Sequence, residues 1–345
     1  MKAKTKIGLY LFGLCMFVLM IPGSSQAQNK DANQVYDQKL YQGLTYRNVG
    51  PYRGGRSTAV TAVPKADGSN INFFMGTTGG GIWKTDDYGS SWKNLSDGQL
   101  KTGAIVAINA ALSSPNIMYA GTGSVSLRGN VSAGKGIYKS YDSGNTWEFI
   151  GLPNVGQIGD IVVHPQDPNL VYVAALGHAF GKNEERGVYR SKDGGQNWEQ
   201  VFFLSDSTGA VSLAMNPSNT REIYVGMWRA QRKPWAMVSG AEEGGVYKTI
   251  DGGDNWEKLQ GGLPTGPVGK VGITISPANP KRVWVIIEAE PAGGVYRSDD
   301  GGISWKHINS ENKLRQRAWY YTYAIADPKD ENTVYVLNTG LYRSV

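Results

Sequence analysis

Short apolar segments recur along the chain, each followed by a turn rich in Pro, Asn or Asp and then by a second β-branched or aromatic run. Ile161 to Pro165 precedes Leu170 to Val173, Ile273 to Pro277 precedes Val283 to Ile286, and Ala324 to Pro328 precedes Val334 to Leu337. A third segment, of the form Gly-Val-Tyr-Lys/Arg-Ser/Thr, spans Gly187 to Ser191, Gly245 to Thr249 and Gly294 to Ser298. Runs of this length, bounded by turn residues, read as strands.

After each third segment comes an eight-residue pattern, Ser/Thr-x-Asp-x-Gly-x-small/polar-Trp. It occurs five times, from Thr85 to Trp92, Ser140 to Trp147, Ser191 to Trp198, Thr249 to Trp256 and Ser298 to Trp305. Its aspartates are Asp87, Asp142, Asp193, Asp251 and Asp300, at intervals of 55, 51, 58 and 49 residues. A carboxylate and a hydroxyl that accept from free N–H groups, a glycine for positive φ and a Trp over the hairpin describe a turn. These aspartates are therefore expected to be structural. The Trp opens a fourth strand, and four short strands per repeat of about 50 residues make a propeller blade. The expected fold is an all-β propeller of four-stranded blades beginning near Thr58, Ala104, Gly159, Ala210, Gly269 and Thr322. The sixth blade stops at Val345, just where the pattern calls for its Asp, so about five and a half blades and a truncated ring are expected. Leu44 to Val49 is a candidate outer strand for closing that ring.

The N-terminus departs from this pattern. Lys2, Lys4 and Lys6 precede the apolar run Ile7 to Ile21, and Ser25-Gln26-Ala27 offers a small-x-small cleavage site. Residues 1–27 thus read as a signal peptide, 28–43 as a leader and 44–345 as the propeller, with an exported mature chain and no membrane span after cleavage. The only cysteine, Cys15, lies in the signal, which leaves no disulfide or thiolate chemistry. Removing the three signal lysines lowers the formal charge from +6 to +3, weak support for a polyanion partner. His164, His178 and His307 fall on different blades without metal-ligand spacing, and neither a phosphate loop nor a nucleic-acid module is present. No cofactor, metal or nucleic-acid partner is expected.

The five boxes resemble those of BNR/Asp-box propellers, which include the sortilin (VPS10-type) N-terminal domain, sialidases and xyloglucanase-like glycoside hydrolases. The resemblance covers about Tyr46 to Val345, and the stretches 177–187, 227–235 and 315–321 look like those of large exported bacterial proteins of that type. It implies fold more firmly than activity, since the same boxes serve hydrolases and receptors. Xyloglucanase-like enzymes place a catalytic Asp after a Thr at the end of a first-blade strand; here Thr78 follows Thr77 at that place. The stretch Tyr46 to Val49 lacks the proline of the early sialidase arginine motif.

In a propeller the loops between strands two and three open on the face opposite the boxes. Those loops are long in blades two to four, roughly 122–135, 177–186 and 228–243, and long loops on a rigid scaffold commonly bind. The same face should carry Arg53, Arg56, Trp228, Arg229, Arg232, Lys233, Trp235, Arg315, Arg317, Trp319 and Tyr320. This aromatic and cationic set suits sugar rings, peptide side chains and carboxylates. The leading reading is a propeller that binds a protein, peptide or glycan through that face. A glycoside hydrolase is the alternative, with Glu184 and Glu243 as candidate acids and His178 as candidate base.

Overall fold

The computed structural model describes residues 37–44, 55–64 and 71–344. The chain divides into two units, Met1–Arg53 and Gly54–Val345. Of the first, the described part is a single 3-10 turn, Gln38–Tyr41, capped by the Asp37 carboxylate on the Lys39 N–H (2.9 Å). The signal segment 1–27, the candidate closing strand at 45–49 and Arg53 lie outside the described residues.

The second unit is a β-propeller. Blade one is β1(Ser57–Pro64), β2(Ile71–Thr77), β3(Ile82–Thr85) and β4(Lys93–Asn94), paired antiparallel in chain order. Blade two is β5(Ile105–Ala111), β6(Ser114–Thr122), β7(Ile137–Ser140) and β8(Glu148–Gly151). Blade three is β9(Ile158–Val163), β10(Val171–Ala175), β11(Gly187–Ser191) and β12(Glu199–Phe202). Blade four comprises β13(Thr208–Met215), β14(Ile223–Arg232), β16(Gly245–Thr249) and β17(Glu257–Lys258), with β15(Met237–Ser239) pairing the far end of β14. Blade five is β18(Val271–Ile275), β19(Val283–Ile287), β20(Gly294–Ser298) and β21(Lys306–Asn309). Blade six shows three strands, β22(Tyr323–Ala326), β23(Val334–Leu337) and β24(Leu341–Ser344). Each first strand starts within two residues of the position the repeat assigns to it.

The first strands of the six blades surround a central cavity of about 680 Å³, lined by Thr58, Asn109, Asp160, Ser212 and Tyr323 among others. They approach closely because the neighbouring second strands carry glycines. A Cβ on Gly121 would lie 2.6 Å from Cγ2 of Ile158 in the next blade, and one on Gly76 would lie 2.7 Å from Cγ2 of Ile105.

Apolar burial is concentrated in the seams between blades. Phe74, Ile82, Met118 and Tyr138 join blades one and two, and Tyr224, Val246, Val283 and Tyr296 join blades four and five. The box tryptophans belong to these seams: Trp147 packs with blade one, Trp198 with blade two, Trp256 with blade three and Trp305 with blade four. In blades two to five the box Trp thus anchors its blade to the preceding one as well as covering its own hairpin, whereas Trp92 of the first box is exposed.

The boxes share one geometry. In the third, Asp193 Oδ1 accepts from Ser191 Oγ (2.8 Å) and the Asn197 N–H (2.9 Å), while Oδ2 accepts from the Asn197 amide (2.7 Å). Asp87, Asp142, Asp251 and Asp300 repeat the arrangement with Ser91, Thr146, Asn255 and Ser304. The backbone and side-chain donors of Asn197 hold the Asp193 carboxyl down at about 2. Two successive residues in each turn have positive φ: Tyr88 or Ser143 precedes the box glycine in blades one and two, and a second glycine does so in blades three to five.

A periodic clamp also crosses the seams. Lys139 Nζ donates to the Gly194 carbonyl (3.1 Å), Arg190 Nη1 to that of Gly252 (2.7 Å) and Lys248 Nζ to that of Gly301 (2.8 Å). Each cation, three residues after the Gly that opens or precedes the third strand, holds the box turn of the next blade. Tyr172 and Tyr224 donate their hydroxyls to the same Gly252 and Gly301 carbonyls, each at 2.7 Å.

Candidate functional site

With the boxes at the turns between third and fourth strands, the opposite face is built by three segments between second and third strands and by the lead-in to blade six. The blade-two segment is ordered by its own apolar residues: Val125, Leu127 and Val131 are buried in the seam with blade three. In the blade-three segment the guanidinium of Arg186, 1% exposed, donates to the carbonyls of Leu176 (2.6 Å), His178 (2.8 Å) and Gly181 (3.0 Å). Burial pulls its pKa down to about 10. In blade four, the stretch read as a loop is instead a projecting hairpin. β14 continues to Arg232, turns at 233–236 through Pro234, and returns as β15.

That continued strand sorts the residues of its stretch. Trp228 faces inward, is 0% exposed and donates its indole N–H to Ser239 Oγ (2.9 Å), which in turn donates to Glu288 (2.7 Å). A ring so enclosed cannot stack on a ligand, so the expectation for Trp228 is corrected: it is core. Arg229 faces outward, into a shallow groove shared with Lys182, Asp206, Glu242 and Glu243. Arg232 is half-buried, and Trp235, at the hairpin tip, is 82% exposed.

The lead-in to blade six supplies the centre of the face. After the 3-10 turn Asn312–Leu314, Trp319 packs against the cluster formed by Leu127, Trp228, Ala230 and their neighbours, which brings this segment onto the loops of blades two to four. Tyr320 makes edge contacts with Trp319 (6.0 Å) and Tyr321 (4.3 Å). The Arg317 guanidinium lies 4.5 Å from the Tyr320 centroid and 5.4 Å from that of Trp319. Arg56, from the start of blade one, lies 5.9 Å from the Tyr320 centroid, so one tyrosine carries two guanidinium groups across the junction of blades six and one. Burial pushes the neighbouring Tyr321 phenol up to about 12, against the opposing charges of Arg128 and Arg56. Tyr321 also lines the central cavity, so the platform stands at the cavity mouth.

Two charges lie beneath it, Lys270 buried and Asp160 half-buried at the cavity wall. Lys270, 1% exposed, donates Nζ to the Tyr320 carbonyl (2.5 Å) and sits over the rings of Trp228 (5.7 Å) and Tyr323 (5.2 Å). Burial pulls its ammonium down to about 7, partly offset by Glu288. Asp160, on β9, accepts from the N–H groups of Leu213 (3.0 Å) and Ile161 (2.8 Å), and burial pushes its carboxyl up to about 6. Neither was singled out by sequence reasoning. The available signal was a lone charge at the edge of, or inside, an otherwise apolar first strand.

The remaining nominated residues are dispersed. Arg315 pairs with Glu290 (2.7 Å). Glu243 accepts from Ser205 Oγ (2.7 Å) and Thr208 Oγ1, tying blade four to the loop before it. Glu184 and His178 are exposed on the blade-three segment. The Thr78 N–H donates to the Arg56 carbonyl (3.1 Å). His164 bonds Thr220 Oγ1 (2.8 Å) and His307 stacks on Tyr296, and no group of metal-ligating side chains occurs among the described residues. No helix among them is long and apolar enough to cross a membrane.

Comparison with known proteins places this geometry in context. A family model described as "Sortilin, neurotensin receptor 3" matches residues 80–222 and 135–265, which together exceed half of the chain. A xyloglucanase of Hypocrea jecorina (strain QM6a) is 26% identical over 204 residues, covering 58% of this chain and 20% of that protein. Among solved structures, an ancestral GH74 enzyme superposes with a TM-score of 0.62 at 22% identity, over 86% of this chain and 37% of its own. A GH74 enzyme of Niastella koreensis gives 0.51 at 18% identity, over 84% and 52%. The structural likenesses show the fold, and the chain spans about a fifth of the xyloglucanase and a little over a third of the ancestral enzyme.

Proposed function

This chain belongs to the sortilin (Vps10) family of Asp-box propellers, and we propose that it binds a glycan through the face opposite its boxes. The observation that carries this reading is the platform of Trp319, Tyr320 and Arg317 at the mouth of the central cavity, with Arg56 beside it and the exposed Trp235 on the blade-four hairpin. Aromatic faces take the apolar face of a sugar ring, and guanidinium groups donate to its oxygens. The xyloglucanase relationship supports a carbohydrate over a peptide. The basic, apolar and small-residue order of residues 1–27 supports an exported protein, where such polymers are met.

Binding is preferred to hydrolysis on the state of the acids. Cleavage of a glycosidic bond needs two carboxyls roughly 5 to 10 Å apart across it. Glu243 is engaged by two hydroxyls, Glu290 by Arg315, and Thr78 stands where a xyloglucanase-like catalytic Asp would be. The test is titration calorimetry of the chain against a panel of soluble polysaccharides, with release of reducing ends followed in parallel. Tyr320→Ala should weaken binding by roughly 2 kcal/mol, as for a central aromatic anchor. Retention of no polysaccharide would overturn the proposal, and turnover lost in Glu184→Gln or Glu243→Gln would replace it with a hydrolase.

A further inference from the structure

The charges around this platform are unbalanced. The described ion pairs consume Arg190, Arg282 and Arg297 elsewhere on the propeller and, in the lead-in to blade six, Arg315. Arg56, Arg128, Arg232 and Arg317 take part in none of them. Arg128 reaches only Ser124 Oγ (3.3 Å) and the Ser126 carbonyl (3.2 Å) through Nη1. The side chains of Arg56, Arg232 and Arg317 donate no hydrogen bond to any described residue, and the Nε–H groups of Arg128 and Arg232 are buried without an acceptor.

These four groups come from four separate parts of the chain to one place. Arg56 and Arg317 share the Tyr320 ring. Arg128 and Arg56 act together on the Tyr321 phenol. Arg232 reaches the blade-two loop beside Arg128, since a Cβ on Gly129 would lie 3.7 Å from its Nη2. Four cations gathered without a counter-charge among the described residues repel one another, and the described contacts give no reason to assemble them. An anionic ligand would remove that cost, and each guanidinium can offer a carboxylate two parallel N–H donors.

We propose that the glycan bound at this face is a uronate-bearing one, whose sugar carboxylates are held by Arg56, Arg128, Arg232 and Arg317 while Trp319 and Tyr320 support its rings. The proposal rests on the glycan-binding reading above and specifies the charge of its ligand. Carboxylates spaced along a chain of pyranose rings match guanidinium groups interleaved with aromatic faces. A neutral glycan would leave the four cations uncompensated, and desolvating them would oppose its binding.

The experiment measures dissociation constants of the chain for oligogalacturonate, for its methyl ester and for a neutral cello-oligosaccharide of equal length. Oligogalacturonate should bind at least roughly tenfold more tightly than either, and its affinity should fall as salt rises from about 0.05 to 0.5 M. Arg317→Ala should cost about tenfold, and Arg317→Lys should keep the salt dependence while recovering only part of the affinity, because an ammonium lacks the fork. Melting temperatures of the variants separate a binding defect from misfolding, and Arg56→Ala offers a second probe on a different blade. Equal affinity for the ester and the acid would overturn the inference while leaving glycan binding intact. Failure of all three oligosaccharides would overturn glycan binding itself, and capture of an oligoglutamate peptide in their place would assign the arginines to an acidic peptide.

Discussion

Replacing Lys270 by Met should stabilise the propeller at neutral pH and abolish the rise in stability with pH that the buried ammonium of the native protein is expected to give. The ammonium is 1% exposed and its hydrogen bond is to the Tyr320 carbonyl; the acid acting on it, Glu288, already accepts from Ser239 Oγ and from the Lys270 backbone N–H. The other charged and titratable neighbours of this region, Tyr323 and Asp160, do not supply a full counter-charge: burial raises both. A lysine that titrates at 10.5 in the unfolded chain and at about 7 in the folded one binds more protons unfolded between those values. Stability therefore rises with pH across that window, and the whole cost is present below pH 7. At about 1.4 kcal/mol per pH unit the upper bound is about 5 kcal/mol, of which about 2 kcal/mol is recovered between pH 7 and pH 9. Methionine has a similar reach and no charge, but it leaves the Tyr320 carbonyl without its donor, at about 1 to 3 kcal/mol. The variant should be about 2 kcal/mol more stable at pH 7, and the two proteins should converge by pH 9. Urea unfolding followed by Trp fluorescence at both pH values measures this, provided the m-values agree. Parallel pH dependence of the two proteins would refute the assignment of a neutralised, buried amine beneath the platform. Measurements should stop near pH 9.5, because the buried phenols of Tyr224 and Tyr323 titrate above their ordinary range and reverse the slope.

Other perturbations follow from the same contacts. Lys248→Met breaks the clamp to Gly301 and leaves Glu222, whose side chain is 15% exposed, with the Tyr224 hydroxyl but without its cation, and should cost about 3 kcal/mol in unfolding free energy, part of it restored by adding Glu222→Gln. Gly121→Ala drives a methyl against Ile158 and should destabilise by about 1 to 3 kcal/mol, with partial rescue by Ile158→Val; an unchanged melting temperature would mean that the seam is looser than described. The Asp193 carboxyl, held at about 2, stabilises the fold fully above about pH 4 and loses that effect as pH falls towards 2, so Asp193→Ala should lower the melting temperature at pH 6 far more than at pH 2. Trp235→Ala, at an exposed hairpin tip, should leave the melting temperature unchanged while Trp228→Ala lowers it sharply, by about 3 to 5 kcal/mol in stability.

The repeat was legible because each box must satisfy the same turn, and a turn writes its hydroxyl, carboxylate and glycine at fixed offsets. The strands followed from those boundaries. The face opposite the boxes was legible as a face but not residue by residue. Trp228 and Arg229 are adjacent in sequence and were grouped together, yet β14 continues past its expected end and its period of two sends one inward and the other outward. Arg186 reads in sequence as another loop cation, and only the carbonyls that converge on it show that it is an internal brace. Arg128 was overlooked because its neighbour in space is Tyr321, nearly two hundred residues away, and no local pattern records that distance.

The two faces differ in how they use positive charge. On the box side, the cations at the third strands are placed where a backbone carbonyl and often an acid await them: Arg190 meets Gly252, Asp254 and Glu199, and Lys248 meets Gly301 and Glu222. Those positions repeat with the blade, so the charge is part of the scaffold and is neutralised by it. The cations of the opposite face sit on segments that do not repeat. Of these, Arg186 and Arg315 are consumed by carbonyls and by Glu290, while among the described residues Arg56, Arg128, Arg232 and Arg317 find no acidic partner around one aromatic platform. A scaffold that neutralises its own charges so regularly makes the open set on its other face a property of the loops rather than of the fold. That difference is what assigns recognition to the loops and stability to the boxes.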